Sequence, residues 1–175
     1  MYSYRNDYQF SNNAPVVEPV TLAEAKLYCR VTTSTEDALI ESMITQAREA
    51  IEQITNLSLI PRQVEVWFCN EGANFDLPFG PVTYFLSLYD NNGDEIESND
   101  YKLIGGAYPK VKYPAQNDMK ATYNAGFDCI PKDLKIAILD QVSYDYENRG
   151  LDANSGICEK TWRACQRWTK TSPIL

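Results

Sequence analysis

The sequence contains no histidine. That absence excludes a histidine-dependent catalytic triad, a histidine-ligated metal and imidazole general-base chemistry. Cysteine is sparse and scattered. Cys29, Cys69, Cys129, Cys158 and Cys165 include no CxxC pair, and an odd, widely spaced set does not make a disulfide framework or a zinc site. Reduced, mostly buried thiols are the simpler reading. Positive charge is also in short supply: 16 Lys and Arg face 24 Asp and Glu, a formal charge of −8. Tight, phosphate-led binding of nucleic acid rests on many basic contacts, so this balance argues against it, though not against DNA passing nearby. No apolar run reaches membrane-spanning length, and the first 15 residues are polar and aromatic rather than signal-like. A soluble protein made in a reducing cytoplasm, with no membrane partner, is expected.

Chemistry-bearing motifs are equally thin. The helical Asp and Glu residues fall at solvent-face spacing. Asp94, Glu95, Glu97 and Asp100 crowd one loop, but without the spaced oxygen ligands and glycine of an EF-hand they read as a solvated turn. Gly105-Gly106 is followed by no Lys-Ser/Thr and opens no helix, so it is not a phosphate loop. A cysteine nucleophile would lack its histidine partner. No catalytic residue, metal ligand or cofactor is assigned. A hydrolase using acidic residues and a metal is a remote reading, testable by any activity lost in Asp94→Ala with Glu97→Ala.

What the sequence does contain is pattern. Its 175 residues are 44% hydrophobic and 23% charged, enough for one domain with a real core, or a core plus an insert. Residues 34–56 read as one long amphipathic helix. Leu39, Ile40, Met43, Ile44, Ala47, Ile51 and Ile54 recur at spacings of three and four. Glu41, Ser42, Gln46, Arg48, Glu49, Glu52 and Gln53 take the other positions and are expected to face water or a partner. Ser34, with Asp37 following, offers an N-cap. Before it, Thr21 and Glu24 form a capping box that opens a short helix over 21–31. A third helix runs over 131–149, with Pro131 at its start, Gly150 as its cap, and Leu134, Ile138 and Val142 along one face.

Between the second and third helices the texture changes. Residues 63–124 alternate apolar and polar in short runs, broken by Gly80-Pro81, Asn91-Asn92-Gly93-Asp94, Gly105-Gly106 and Pro114. They read as an antiparallel β insert. The fold class expected is α+β: a bundle of three to four helices with this insert. Residues 1–19 lack clear periodicity but carry Tyr2, Tyr4, Tyr8 and Phe10. An arm that docks on a neighbouring subunit, a strap over its own core, and a disordered terminus are all open. Residues 151–175 hold four basic and two acidic residues, +2, which leaves −10 for the first 150. Trp162, Arg163, Arg167, Trp168 and Lys170 there are either a last core helix with snorkelling bases or interface anchors.

The order of these pieces resembles the head–tail connector, or adaptor, proteins of tailed bacteriophages. The resemblance is carried by EPVTLAEAKLYCRV, then EDALIESMITQAREAIEQITNLSLI, then QVEVWF, LPFGPV, NNGDEI, SNDYKLI, VKYPAQ, ATYNAGFD and IPKDLKIAILDQVSYDYENRG. It covers roughly Pro19 to Gly150, defining a connector core over 20–150, and rests on co-occurrence rather than on any one motif. It implies a structural, non-enzymatic subunit of the virion neck, assembled in the host cytoplasm. Such subunits form a ring of about a dozen copies. The ring sits under the portal protein, extends the DNA channel without sequence-specific binding, and docks the next neck or tail-completion protein. The alternative is a cytoplasmic peptide- or ligand-binding module without catalytic activity.

Overall fold

The computed structural model describes residues 7–11, 17–68, 74–114, 118–149 and 156–169. Tyr2, Tyr4, Cys69, Gly150 and Lys170 lie outside them. The chain divides into a sheet unit, Met1–Val16 with Ile60–Asp128, and a helical unit, Val17–Leu59 with Cys129–Leu175.

Among the described residues, four helices make the second unit: α1 (Leu22–Tyr28), α2 (Asp37–Thr55), α3 (Lys132–Glu147) and α4 (Glu159–Trp168). The capping box that opens α1 is complete, since the Thr21 hydroxyl accepts from the Glu24 N–H while the Glu24 carboxylate accepts from the Thr21 N–H. α2 begins later than Ser34. Its N-cap is Glu36, which makes no side-chain capping bond, and Asn56 in the left-handed region (φ 57°) ends it. The Glu36 carboxylate is instead used across the bundle, accepting from the Tyr146 hydroxyl and pairing with Arg149.

α2 packs on the other three helices. Ile40, Met43, Ile44, Ala47 and Ile51 are buried, as are Leu134, Ala137, Ile138 and Val142 of α3 and Ala164 and Cys165 of α4. Each fully buried aliphatic side chain contributes roughly 1.5–3 kcal/mol. Leu39 departs from the expected stripe: it is 39% exposed. With Ile40, Met43, Ile44, Ala47 and Ile51 defining the stripe, Leu39 sits about 100° around the helix from its centre. Arg48 and Glu52 depart in the opposite sense: both are expected to face water or a partner, and both are buried, at 4% and 3% exposed.

The sheet unit holds two antiparallel sheets, built from the insert together with residues 7–11. Its strands are β1 (Asp7–Ser11), β2 (Arg62–Phe68), β3 (Asn74–Asp76), β4 (Val82–Asp90), β5 (Lys102–Ile104), β6 (Lys110–Lys112) and β7 (Met119–Ala125). They pair in the orders β1-β2-β7-β4 and β3-β6-β5. Val64, Val66 and Phe68 of β2, Ala121 and Tyr123 of β7 and Leu88 of β4 share one core with Phe75, Leu77, Phe79 and Val111. The Tyr123 hydroxyl donates to the Pro78 carbonyl, which satisfies the one polar atom that this ring takes inside.

β1 corrects the reading of residues 1–19 as lacking strand periodicity. Tyr8 lies opposite Val66 and Phe10 opposite Val64, and both rings contact Phe79. Alternation over five residues is too short to announce a strand; the hydrogen-bonding edge of β2 supplies the other half. The turn after β4 forms where expected, with the Gly93 N–H bonded to the Asp90 carbonyl and Gly93 at φ 86°. At the far end of β7, Gly126 sits at φ 127°, and a Cβ there would meet the Ile60 carbonyl oxygen at 2.3 Å. Only glycine allows the two backbones that approach.

Candidate interaction surfaces

The buried polar centre of the helical unit is built around Arg48. Its Nε donates to Glu18 (2.8 Å) and its Nη1 to Glu52 (2.7 Å), one turn along the same helix. Glu18 also accepts from the Thr45 hydroxyl (3.0 Å), and Glu52 accepts from the Leu59 N–H (2.7 Å). Burial acts to lower the Arg48 pKa, but the bond to Glu18 and the charges of Glu52, Glu18 and Glu49 outweigh it and hold the guanidinium above its ordinary value. One arginine therefore ties the segment entering α1 to the segment leaving α2. This is a structural clamp, with every group committed internally.

α4 carries the residues assigned to an interface, and the fold separates them. Trp168 turns inward: it is half-buried and its Nε1 donates to Asp133 of α3 at 2.7 Å. Trp162 is 46% exposed. At 100° per residue it lies on the opposite flank of the helix from Lys160, whereas Lys160, Arg163 and Arg167 share one stripe. Each of these three bases already has a carboxylate of its own chain within ion-pair range: Asp140, Glu159 and Asp133 respectively. The pairs to Glu159 and Asp133 are exposed, and such pairs contribute little and exchange readily with other partners. The underside of α4 is fixed by a third set of bonds. Thr161 donates to the Ala137 carbonyl, and the buried Gln141 side chain bonds both the Gly156 carbonyl and the Cys158 N–H. α4 is thus a fourth bundle helix and presents an outer face as well.

On α1, Leu27 is 81% exposed, an apolar side chain left standing in solvent. Tyr84 on β4, 64% exposed, was not singled out in the sequence. β4 is an edge strand, and register shifts at Val82/Tyr84 and Phe85/Ser87 interrupt its pairing with β7. Such bulges blunt an edge against open-ended strand addition. Of the aromatic arm residues, Tyr8 and Phe10 belong to β1 and pack within their own unit.

The sheet unit also holds a groove of about 540 Å³ that sequence reasoning missed. Trp67, Lys120 and Tyr89 stand side by side on neighbouring strands in one cross-strand row. The Lys120 ammonium lies 5.9 Å from the Trp67 ring and 4.9 Å from that of Tyr89. Asp90, Asp118 and Met119 also line the groove. The Asp90 carboxylate accepts from the backbone N–H groups of Asp94 and Asn92, which holds its pKa below the usual carboxylate value. The missed signal is Trp67 itself, an aromatic at a polar-face position of QVEVWFC. Among the described residues, no three His, Cys, Asp or Glu side chains gather as a metal site, and no helix is long and apolar enough to cross a membrane.

Solved structures share this fold of a helical bundle and paired sheets. One is from the neck of an empty gene transfer agent particle computed with C6 symmetry: 23% identical, covering 93% of this chain and 95% of that one, TM-score 0.73. A second, from the virion of a native gene transfer agent particle, is 24% identical, covers 93% and 94%, and has a TM-score of 0.70. A third, from the neck of a native particle computed with C12 symmetry, is 21% identical, covers 92% and 94%, and has a TM-score of 0.64. No curated protein sequence matches the chain. The family described as "Phage gp6-like head-tail connector protein" matches residues 19–160, and this chain belongs to it. It is a structural connector of the head–tail junction, and the family gives no support to the ligand-binding alternative.

Proposed function

We propose that this connector works as one subunit of a closed ring of about twelve copies, set beneath the portal and above the next neck or tail-completion protein. The match to the connector family across residues 19–160 carries the reading, since it takes in α1 to α3 and β2 to β7 and reaches the start of α4. The gene transfer agent necks computed with C6 and C12 symmetry support a ring of this order. A ring needs a head-to-tail interface that closes, and exposed Leu27, Trp162 and Tyr84 supply apolar anchors for one. The DNA lumen needs no base-reading residues, and a net charge of −8 keeps DNA from adhering to the wall. No catalytic step is part of the role.

In this reading the outer face of α4, with Trp162, Arg163 and Arg167, meets a neighbouring subunit or the portal. Its ion pairs, all solvent-facing, exchange for pairs across the interface at little cost. Electron microscopy of the protein mixed with portal rings tests the proposal. Added density of matching symmetry on one face of the portal is expected. Unaltered portal rings across a range of protein concentrations would overturn it. Deleting residues 157–175 with portal binding intact would remove α4 from the interface while leaving the ring in place.

A further inference from the structure

The outer face of the three-stranded sheet is unused by anything described so far. Phe75 of β3 and Val111 of β6 point into the core, while their neighbours Asp76, Lys110 and Lys112 stand exposed on the other face. The register brings Lys102 and Ile104 of β5 onto that face, directly opposite Lys112 and Lys110. Lys110 is paired with Asp76 at 3.3 Å. Among the described residues, Lys102 and Lys112 have each other across the ladder and no carboxylate in ion-pair range. Like charges directly opposite on a sheet repel and cost stability. This pair stands in a chain with 24 acidic residues against 16 basic ones. Ile104, 52% exposed, lies beside it.

The matching charge is on the segment that leads into β5. Asp94, Glu95, Glu97 and Asp100 are exposed, and among the described residues none is in ion-pair range of a lysine or arginine. Backbone bonds fasten this segment to the other sheet. Glu95 bridges to Tyr89, the Ile96 N–H donates to the Leu88 carbonyl, and the Asp90 N–H donates to the Asp94 carbonyl. The carboxylates are thus held beside β4 and the lysines on β5 and β6, and the two sets do not meet within one chain.

We infer that the lysine face of β5 and β6 receives the acidic segment 94–100 of a second copy. Charge complementarity selects this occupant. A cationic face and an anionic segment, each unpaired within its own subunit, satisfy one another when copies stand head to tail. Two different patches make a heterologous contact, the kind that closes a ring. DNA is the poorer occupant, since phosphate-led binding draws on many bases and this face offers two uncommitted ones. Ile104 supplies an apolar centre with the charges around it as a rim. The inference rests on the ring proposed above and assigns it one specific contact.

Two full-length charge-reversal variants test it: Lys102→Glu with Lys112→Glu, and Glu95→Lys with Glu97→Lys. Each is mixed with portal rings and imaged by electron microscopy. Either variant alone should form rings about tenfold less readily than the parent, because like charges then meet at every contact. A one-to-one mixture should recover the parent's yield, since alternating copies pair opposite charges at each contact. A mixture that fails to recover overturns the inference. Thermal melts of the isolated chains separate a contact between copies from one within a copy. Both variants should melt close to the parent, because all four side chains are exposed. A loss in both that is relieved when the four substitutions share one chain would place the pairs inside a subunit and overturn the inference. Rings from each variant alone in the parent's yield refute this contact and leave the ring standing, whereas absence of rings in the parent refutes the ring.

Discussion

Replacing Arg48 by methionine removes a charge from a place in the helical unit where three carboxylates converge on a guanidinium. Methionine keeps most of the volume, so the cavity term is small. What remains is the Glu52 carboxylate, 4% exposed, with the Leu59 N–H still donating to it and the Arg48 charge gone. Stranding one partner of a buried pair costs about 3–5 kcal/mol. For a unit of this size, each kcal/mol moves the melting temperature by about 4–8 °C, so a loss of at least about 12 °C is expected. Adding Glu52→Gln removes the stranded charge while its amide oxygen still accepts from Leu59. The double variant should therefore be more stable than Arg48→Met alone, at about 1–2 kcal/mol below the parent. Urea unfolding followed by far-UV circular dichroism measures both, with the sheet unit's transition treated separately. The difference should persist in molar salt, where the screening length is about 3 Å, because the pair is buried. A single variant within about 1 kcal/mol of the parent, or a double variant less stable than the single, would refute the clamp.

Four further outcomes follow from the same coordinates. Glu24, bonded to Lys135 and to the Thr21 backbone, has its pKa lowered to about 2 from an ordinary 4.5. Its contribution is present in full above pH 4.5 and lost as pH falls towards 2; because its side chain is 41% exposed, screening leaves well under ~1 kcal/mol. Glu24→Gln should flatten the acid limb of stability against pH, and an unchanged limb would contradict the pairing. Gly126→Ala should cost about 3 kcal/mol or more in urea titration, from the φ of 127° and the 2.3 Å approach to Ile60; a neutral result would mean that the backbone there relaxes freely. Trp168→Phe should lose about 1.5–3 kcal/mol with the hydrogen bond to Asp133, whereas an interface anchor would leave the monomer's stability unaltered. Burial raises the Cys165 thiol to about 11, while Cys129 is exposed; a thiol reagent at neutral pH should label Cys129 quickly and Cys165 only on unfolding.

Much of the fold was legible because its signals are local. The Thr21–Glu24 capping box, the Asn-Gly turn at residues 92–93 and the period of Ile40, Met43, Ala47 and Ile51 are each satisfied within a few residues, whatever the rest of the chain does. The order of the segments carried the family resemblance in the same way. The candidate surfaces were less legible. Arg163, Arg167, Trp162 and Trp168 look like one patch in sequence, but a helical turn of 100° per residue keeps the two arginines on one stripe and sets each tryptophan about 100° or more away from it. Asp133, brought in by α3, then settles which tryptophan faces inward.

From its sequence alone, then, the chain fixes its helices, its turns, its α+β class and its kinship with head–tail connectors, because periodicity and capping act over short distances and segment order is linear. Tertiary structure decides the rest. It buries Arg48 and Glu52 because Glu18 and the Leu59 N–H arrive to satisfy them. It pairs β1 with β2, and it sets Trp67, Lys120 and Tyr89 in one row from three strands. Each of these depends on groups far apart in the chain, and a buried charge or a strand edge is stable only when such a partner is in place.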